Sequence, residues 1–234
     1  MKLNHYQKEQ LKVIQQLEEA IQNKKISFSV VAPIENFETD RRICLTSVFF
    51  PSKEFKNKVI SEIIQPLKQI EPKHYYYPSS ALHLTIKNIR VINYPPHFTK
   101  QDIQIADKIF SQIVPKHKTH HVYFNRLLAF PVNLALIGIT DKERDELILD
   151  LDKALKAAHL PDDKQYLNDK YFFANITLLR FAHPPSKKFL NKVKSLSKKI
   201  DFPVVKINQV NLITANAVLK KLKIINQYPL WEKE

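Results

Sequence analysis

The sequence predicts an α+β fold assembled from two copies of one half, with a helix added in front. Three observations predict it. A short stretch occurs twice, as Ala81-Leu82-His83-Leu84-Thr85-Ile86-Lys87 and as Phe173-Ala174-Asn175-Ile176-Thr177-Leu178-Leu179. Both copies are apolar and rich in β-branched residues, so both read as strands. The flanking elements recur in the same order: strand, helix, motif strand, helix, strand. Two copies of a unit this long make a duplicated half rather than a solenoid. Its simplest assembly is a pseudo-two-fold with the motif strands near the axis. No stretch reads as a linker, so the expectation is an N-terminal helical extension over residues 1–25 and a single two-lobe domain over 26–234.

Residues 4–23 place Leu11, Ile14, Leu17 and Ile21 at helical spacing among Gln, Glu and Lys. Packing on the body is the preferred reading, with a partner-binding helix as the alternative. Ile26 to Ile34 alternates as a strand, and Glu35 to Arg42 reads as a loop. The first copy then runs as the strand Ile43–Phe50 and a helix Lys53–Ile70, capped by Ser52 and kinked or shortened at Pro66. Tyr75-Tyr76-Tyr77 stands before the first motif. It can plug the edge of the core or offer a stacking platform to a base. Pro95-Pro96, a helix Thr99–Val114 and a strand Thr119–Phe130 complete this half. The second copy has the strand Asn133–Thr140, a helix Asp141–Ala158 capped by Asp141, a polar loop His159–Lys170 and the second motif. Pro184-Pro185, a helix Ser186–Ile200 and the strands Val204–Ile213 and Ala217–Ile225 follow, with Asn211, Asn216 and Asn226 near the joints.

Composition removes large classes of chemistry. Gly138 is the only glycine. Dinucleotide-binding fingerprints, P-loops and Gly-flanked serine elbows each need at least two in a short window. The lone Cys44, placed in a buried strand, excludes thiolate zinc clusters and internal disulfides and fits a reducing compartment. No His-Glu-x-x-His occurs. His117, His120 and His121 read as solvated or phosphate-facing, without carboxylate company. No cofactor or metal is expected. No apolar run approaches the about 18 residues of a membrane helix, and the start lacks the apolar region of a signal peptide. A cytoplasmic monomer with no membrane partner is the expectation. The net charge of +14 suits a polyanion, most simply RNA or a nucleotide, although a lysine-rich solvated surface has the same composition.

Alternation on a strand puts His83, Thr85 and Lys87 on one face, and Asn175 and Thr177 on the corresponding face of the second copy. Leu84, Ile86, Ile176 and Leu178 turn to an apolar layer. Each motif therefore presents a nitrogen-bearing group and a hydroxyl ~7 Å apart. Histidine can exchange a proton near neutral pH, and threonine can donate to a phosphoryl oxygen. Two such pairs converging from both halves make a site for in-line attack on a phosphodiester.

These motifs resemble the 2H phosphoesterase superfamily, in its LigT-like, 2′-5′ RNA ligase and cyclic phosphodiesterase branch. The resemblance covers about Ile43 to Trp231. It rests on Leu82-His83-Leu84-Thr85-Ile86, Phe130-Pro131 before a strand, Asn175-Ile176-Thr177-Leu178 with Arg180 just after, and Tyr228-Pro229-Leu230. It implies two lobes, each an antiparallel-rich sheet backed by helices. It also implies metal-independent action on RNA ends or small nucleotides that carry a 2′,3′-cyclic phosphate or a 2′-5′ linkage. His83, Thr85 and Thr177 match the motif as catalytic residues, and Lys87, Tyr77 and Arg180 are the expected substrate contacts. Asn175 stands where the family has histidine, and an amide exchanges no proton near pH 7. His183 sits on the Asn175 face only if the strand stays regular up to the proline pair. Two functions follow: a phosphodiesterase slowed by Asn175, or a non-catalytic module for RNA termini or nucleotides. A scaffold using the N-terminal helix is the third.

Overall fold

The structure, a computed structural model, describes residues 3–23, 36–163 and 168–232. The strand expected at Ile26–Ile34 lies outside them. Among the described residues, nine strands form two antiparallel sheets. The strands are β1 (Ile43–Phe49), β2 (Tyr75–Tyr76), β3 (Leu84–Asn93), β4 (His120–Ala129), β5 (Asn133–Thr140), β6 (Ala174–Arg180), β7 (Val205–Ile207), β8 (Gln209–Ala215) and β9 (Leu222–Pro229). One sheet has the order β3-β1-β8-β9, the other β2-β6-β5-β4-β7. With β2 set aside, the two orders are equivalent. In each, a motif strand lies towards one side and the strand before it comes next; β8 and β9 of the second half then follow in one sheet, and β4 of the first half and β7 of the second in the other. Each half thus lends strands to the other's sheet, which makes the duplication a physical interlock.

The helices form where their signals predict. The first, α1 (His5–Gln22), opens with a reciprocal Asn4–Gln7 capping box. Ser52 accepts the Phe55 amide at the start of α2 (Lys53–Val59). Pro66 does not end this helix. A π-helical turn, Ile60–Ile64, precedes it, and α3 (Gln65–Lys68) carries the prolyl residue in its first turn, where a missing amide costs nothing. Thr99 forms a capping box with Asp102 on α4 (Lys100–Ile113), and Ser186 accepts the Phe189 amide on α6 (Lys187–Ser197). Asp141 behaves differently at the start of α5 (Lys142–Ala157). Its side chain makes no cap and instead accepts both the backbone amide and Nδ1 of His121 at 2.9 Å.

The expected strand Val204–Ile213 is two strands, broken at Asn208, with β7 in one sheet and β8 in the other. The last strand starts at Leu222, later than expected, because 217–221 form the turn closed by the Asn216 side chain on the Lys221 amide. Asn211 lies within β8, where it donates to the Val48 carbonyl. The lone glycine has a steric reason. A Cβ on Gly138 would lie 2.8 Å from the Tyr123 carbonyl, opposite the irregularity in β4 between Phe124 and Arg126.

One large core lies between the sheets and their helices. The face of β5 turned away from it carries Ala135, Ile137 and Ile139, and α1 covers these with Ile14 and Leu17. That explains why Leu134 to Ile139 is apolar on both faces. Buried Gln10 pins α1: its amide nitrogen donates to the Thr140 hydroxyl and the Phe172 carbonyl, and its oxygen accepts the Thr140 amide, each at 2.8 Å. Tyr6 also donates to the carboxylate of buried Asp145. No helix of the described residues is long and apolar enough to cross a membrane.

Candidate active site

The two sheets meet along their motif strands, β3 and β6, which contact each other. The segment between α3 and β3 sets this juncture. Tyr75 pairs with Arg180 and Tyr76 with Leu179, and the Tyr77 amide donates to the Leu178 carbonyl. The chain therefore runs antiparallel along β6, towards Thr177 and Asn175. A single 3-10 turn, Ser79–Ala81, then delivers His83.

On both motif strands the apolar residues turn inward. Leu84, Ile86, Ile176 and Leu178 are buried, whereas His83, Thr85, Asn175 and Thr177 are partly exposed. The side chains of Thr85, Asn175 and Thr177 form no hydrogen bond within the described residues. They stand as polar groups open to solvent or ligand. His83 Nδ1 lies 2.8 Å from the Ala81 carbonyl. As the donor there it leaves Nε2 with the lone pair. Burial lowers the pKa of His83, and the charge of Arg180 adds to that effect. At neutral pH His83 is therefore a free base.

The expected substrate contacts fare differently. Lys87 is 1% exposed and lies 2.8 Å from both Asp152 and Asp162. It does not share a face with Thr85. Ser47 pairs with Lys87 and Val48 with Thr85, so Ile86 is an extra residue in the ladder, and a bulge reverses the alternation there. Lys87 thus serves the interior, joining β3 to α5 and the loop after it. Tyr77 is also internal. Its hydroxyl donates to the Ala217 carbonyl at 2.6 Å and accepts Arg180 Nε at 3.0 Å. Tyr75 packs against Phe37 and Tyr77, so the tyrosines fill the core edge instead of forming an open platform. Arg180 is 8% exposed, with its guanidinium over the Phe37 and Tyr77 rings. It reaches the site through its field on His83.

Arg144 had no signal in the sequence. It sits on α5, buried, and donates to the Thr85 carbonyl at 3.2 Å. Phe50 was read only as a strand end, yet its ring centre lies 6.5 Å from that of His83. His183 does not replace Asn175. The strand stops at Arg180, and His183 stacks near His74 beyond it.

The other histidines have carboxylate company after all: His117 lies 3.2 Å from Asp150, and His121 is held by Asp141. His120 is fully buried, and desolvation pushes its pKa down to about 4. Arg144 and His121 lower it further, while Asp141 and the Lys118 carbonyl oppose the shift. A prediction follows. Between the ordinary histidine pKa of about 6.5 and about 4, the unfolded chain binds a proton at this position and the folded chain does not. Stability is therefore fully present above pH 6.5 and declines as the pH falls, by roughly 3 kcal/mol for His120 alone. Urea unfolding at stepped pH should show the balance moving towards His120→Leu as the solution is acidified. A gap between the two proteins that does not vary from pH 7 to 4.5 contradicts this.

No family model matches the chain, and no curated protein matches it. Solved structures do. LigT of E. coli in its apo form matches over 82% of this chain and 100% of its own, with a TM-score of 0.57 at 12% identity. The same protein complexed with 3′-AMP gives the same TM-score and identity. The conserved protein ATU0111 of Agrobacterium tumefaciens matches over 86% of this chain and 94% of its own, with a TM-score of 0.56 at 13% identity. At such identities the likeness is one of fold. The chain has a LigT-like fold.

Proposed function

We propose that the groove between β3 and β6 binds the phosphate of an RNA end or a small cyclic nucleotide, and that the protein is a slow phosphodiesterase. The observation that carries this is the meeting of the two motif strands, with His83, Thr85, Asn175 and Thr177 all partly exposed. That LigT of E. coli has been crystallised with 3′-AMP and with ATP supports a nucleotide as the ligand.

In this reading, Nε2 of neutral His83 takes a proton from the water that attacks the phosphorus of a 2′,3′-cyclic phosphate. The P–O bond to one ribose oxygen breaks, and that oxygen needs a proton. The hydroxyls of Thr85 and Thr177 donate to the non-bridging oxygens, as positioned donors do for developing charge. Asn175 can donate a hydrogen bond to the leaving oxygen but gives up no proton, so solvent must protonate it. One missing acid-base group slows turnover by roughly 10²–10⁴.

Asn175 also favours a second reading, in which the groove binds nucleotide termini without turnover. Paired assays separate the two. Slow release of monophosphate from a 2′,3′-cyclic nucleotide, lost in His83→Ala, supports the enzyme. Binding with no product over long incubation supports the module. In either case the net charge of +14 predicts that binding of short RNA weakens steeply with salt, with a log–log slope of about −0.7 per phosphate contacted. Affinity independent of salt, or no binding at low salt, contradicts the RNA reading.

A further inference from the structure

Beyond the end of β6 lies a cluster that the proposed chemistry does not use. Glu71 and His74 stand in the loop after α3, and His183 follows β6. One ligand atom from each, two imidazole nitrogens and a carboxylate oxygen, lies within 4.8 Å of the others. His74 is 4% exposed and Glu71 is largely covered. Nε2 of His74 and Oε2 of Glu71 form a buried 2.6 Å contact with each other, and neither atom has another hydrogen-bond partner among the described residues.

The surroundings hold the ligands from behind. Glu71 Oε1 accepts the Ser186 amide at 2.9 Å, which fixes the carboxylate and leaves Oε2 turned inward. His183 Nδ1 lies 3.2 Å from the Pro184 carbonyl. As donor there it leaves Nε2 as the lone pair. Such outer contacts orient ligands in metal sites.

We propose that Glu71, His74 and His183 form a site for a divalent transition ion of the zinc class. Two imidazoles and one carboxylate are a zinc donor set, and hard oxygen-seeking ions such as Mg²⁺ suit it poorly. The exposed His183 ring has room to turn onto the ion, and that exposure gives the ion its way in. The ion takes the lone pair of His74 Nε2, the ring's one proton sits on Nδ1 instead, and the long 3.3 Å contact from the Ala182 amide gives way. The bound ion clasps the loop before β2 to the end of β6, bracketing the Tyr75–Arg180 pair at the edge of the sheet.

Calorimetric titration of the full chain with ZnCl₂ at pH 7.5, beside MgCl₂, tests this. The expected result is one zinc equivalent, little response to magnesium, and a higher unfolding temperature with zinc. Glu71→Gln keeps the acceptor for Ser186 and His183→Ala removes an exposed ring, so both should fold as the parent does without zinc. Each should weaken zinc binding by at least about tenfold, the lower bound for losing even an outer-shell partner. His121→Ala, a histidine–carboxylate pair elsewhere, should leave it unchanged. No zinc binding, or zinc binding that survives both ligand substitutions, overturns the proposal.

Discussion

Asn175→His is expected to raise hydrolysis of a 2′,3′-cyclic nucleotide by roughly 10²–10⁴, the contribution of one acid-base group. Asn175, on β6, pairs with Ile137 of β5 and is partly exposed, and its side chain makes no hydrogen bond within the described residues. An imidazole placed there breaks no existing hydrogen bond. In the proposed reaction it would supply the proton that the leaving oxygen lacks. In the restored variant, His83→Ala should erase the gain, because acid and base act as a unit and their losses do not add. The kinetics should also acquire a bell-shaped pH dependence that the parent lacks. A folded Asn175→His protein that binds nucleotide without any gain would move the account to the non-catalytic reading. Rapid turnover by the unmodified protein would show that Asn175 is not at the chemical step.

Lys87→Met is expected to cost ~3–5 kcal/mol of stability, the usual penalty for removing one partner from a buried ion pair. The ammonium stands between Asp152 and Asp162, and the Asp162 side chain is only 3% exposed. Asp152 keeps Lys156 at 2.7 Å, so the damage falls mainly on Asp162. Methionine preserves most of the buried stem, which isolates the loss of charge from the loss of packing. Adding Asp162→Asn should recover part of the cost, since the carboxylate that lost the Lys87 ammonium is then gone. Chemical denaturation of the three variants measures this coupling. A cost below about 1 kcal/mol for Lys87→Met, with no recovery in the double variant, would mean the triad carries little weight.

The fold was legible in the sequence wherever short-range chemistry decides it. Ser52 caps its helix as its side-chain oxygen should, and the helices expected from Thr99 and Ser186 begin there. The duplication was readable because both motif strands alternate cleanly, Leu84 and Ile86 answering to Ile176 and Leu178. Long-range partners were not legible. Lys87 looked like a groove residue because nothing in Leu84-Thr85-Ile86-Lys87 announces a bulge, and the irregularity becomes visible only in the register against Ser47 and Val48. Asp152 and Asp162 lie far along the chain, so the sequence offered no way to choose them. The same holds for Asp141. Its place before a helix predicted a cap, and the nearby His121 on β4 captured its carboxylate instead. Exchange of strands between the halves escaped a reading that took each half as its own sheet, because β7 and β8 are parted only by Asn208.

The central claim is that one phosphate is held between the two motif strands. A crystal structure of the protein with 3′-AMP tests it most directly. The phosphate is expected at the juncture of β3 and β6, within hydrogen-bond distance of His83 Nε2 and of the Thr85 and Thr177 hydroxyls, with Asn175 on the opposite side of the phosphorus from His83. A phosphate bound away from this juncture, or one touching a single motif strand with the other turned from it, contradicts the account.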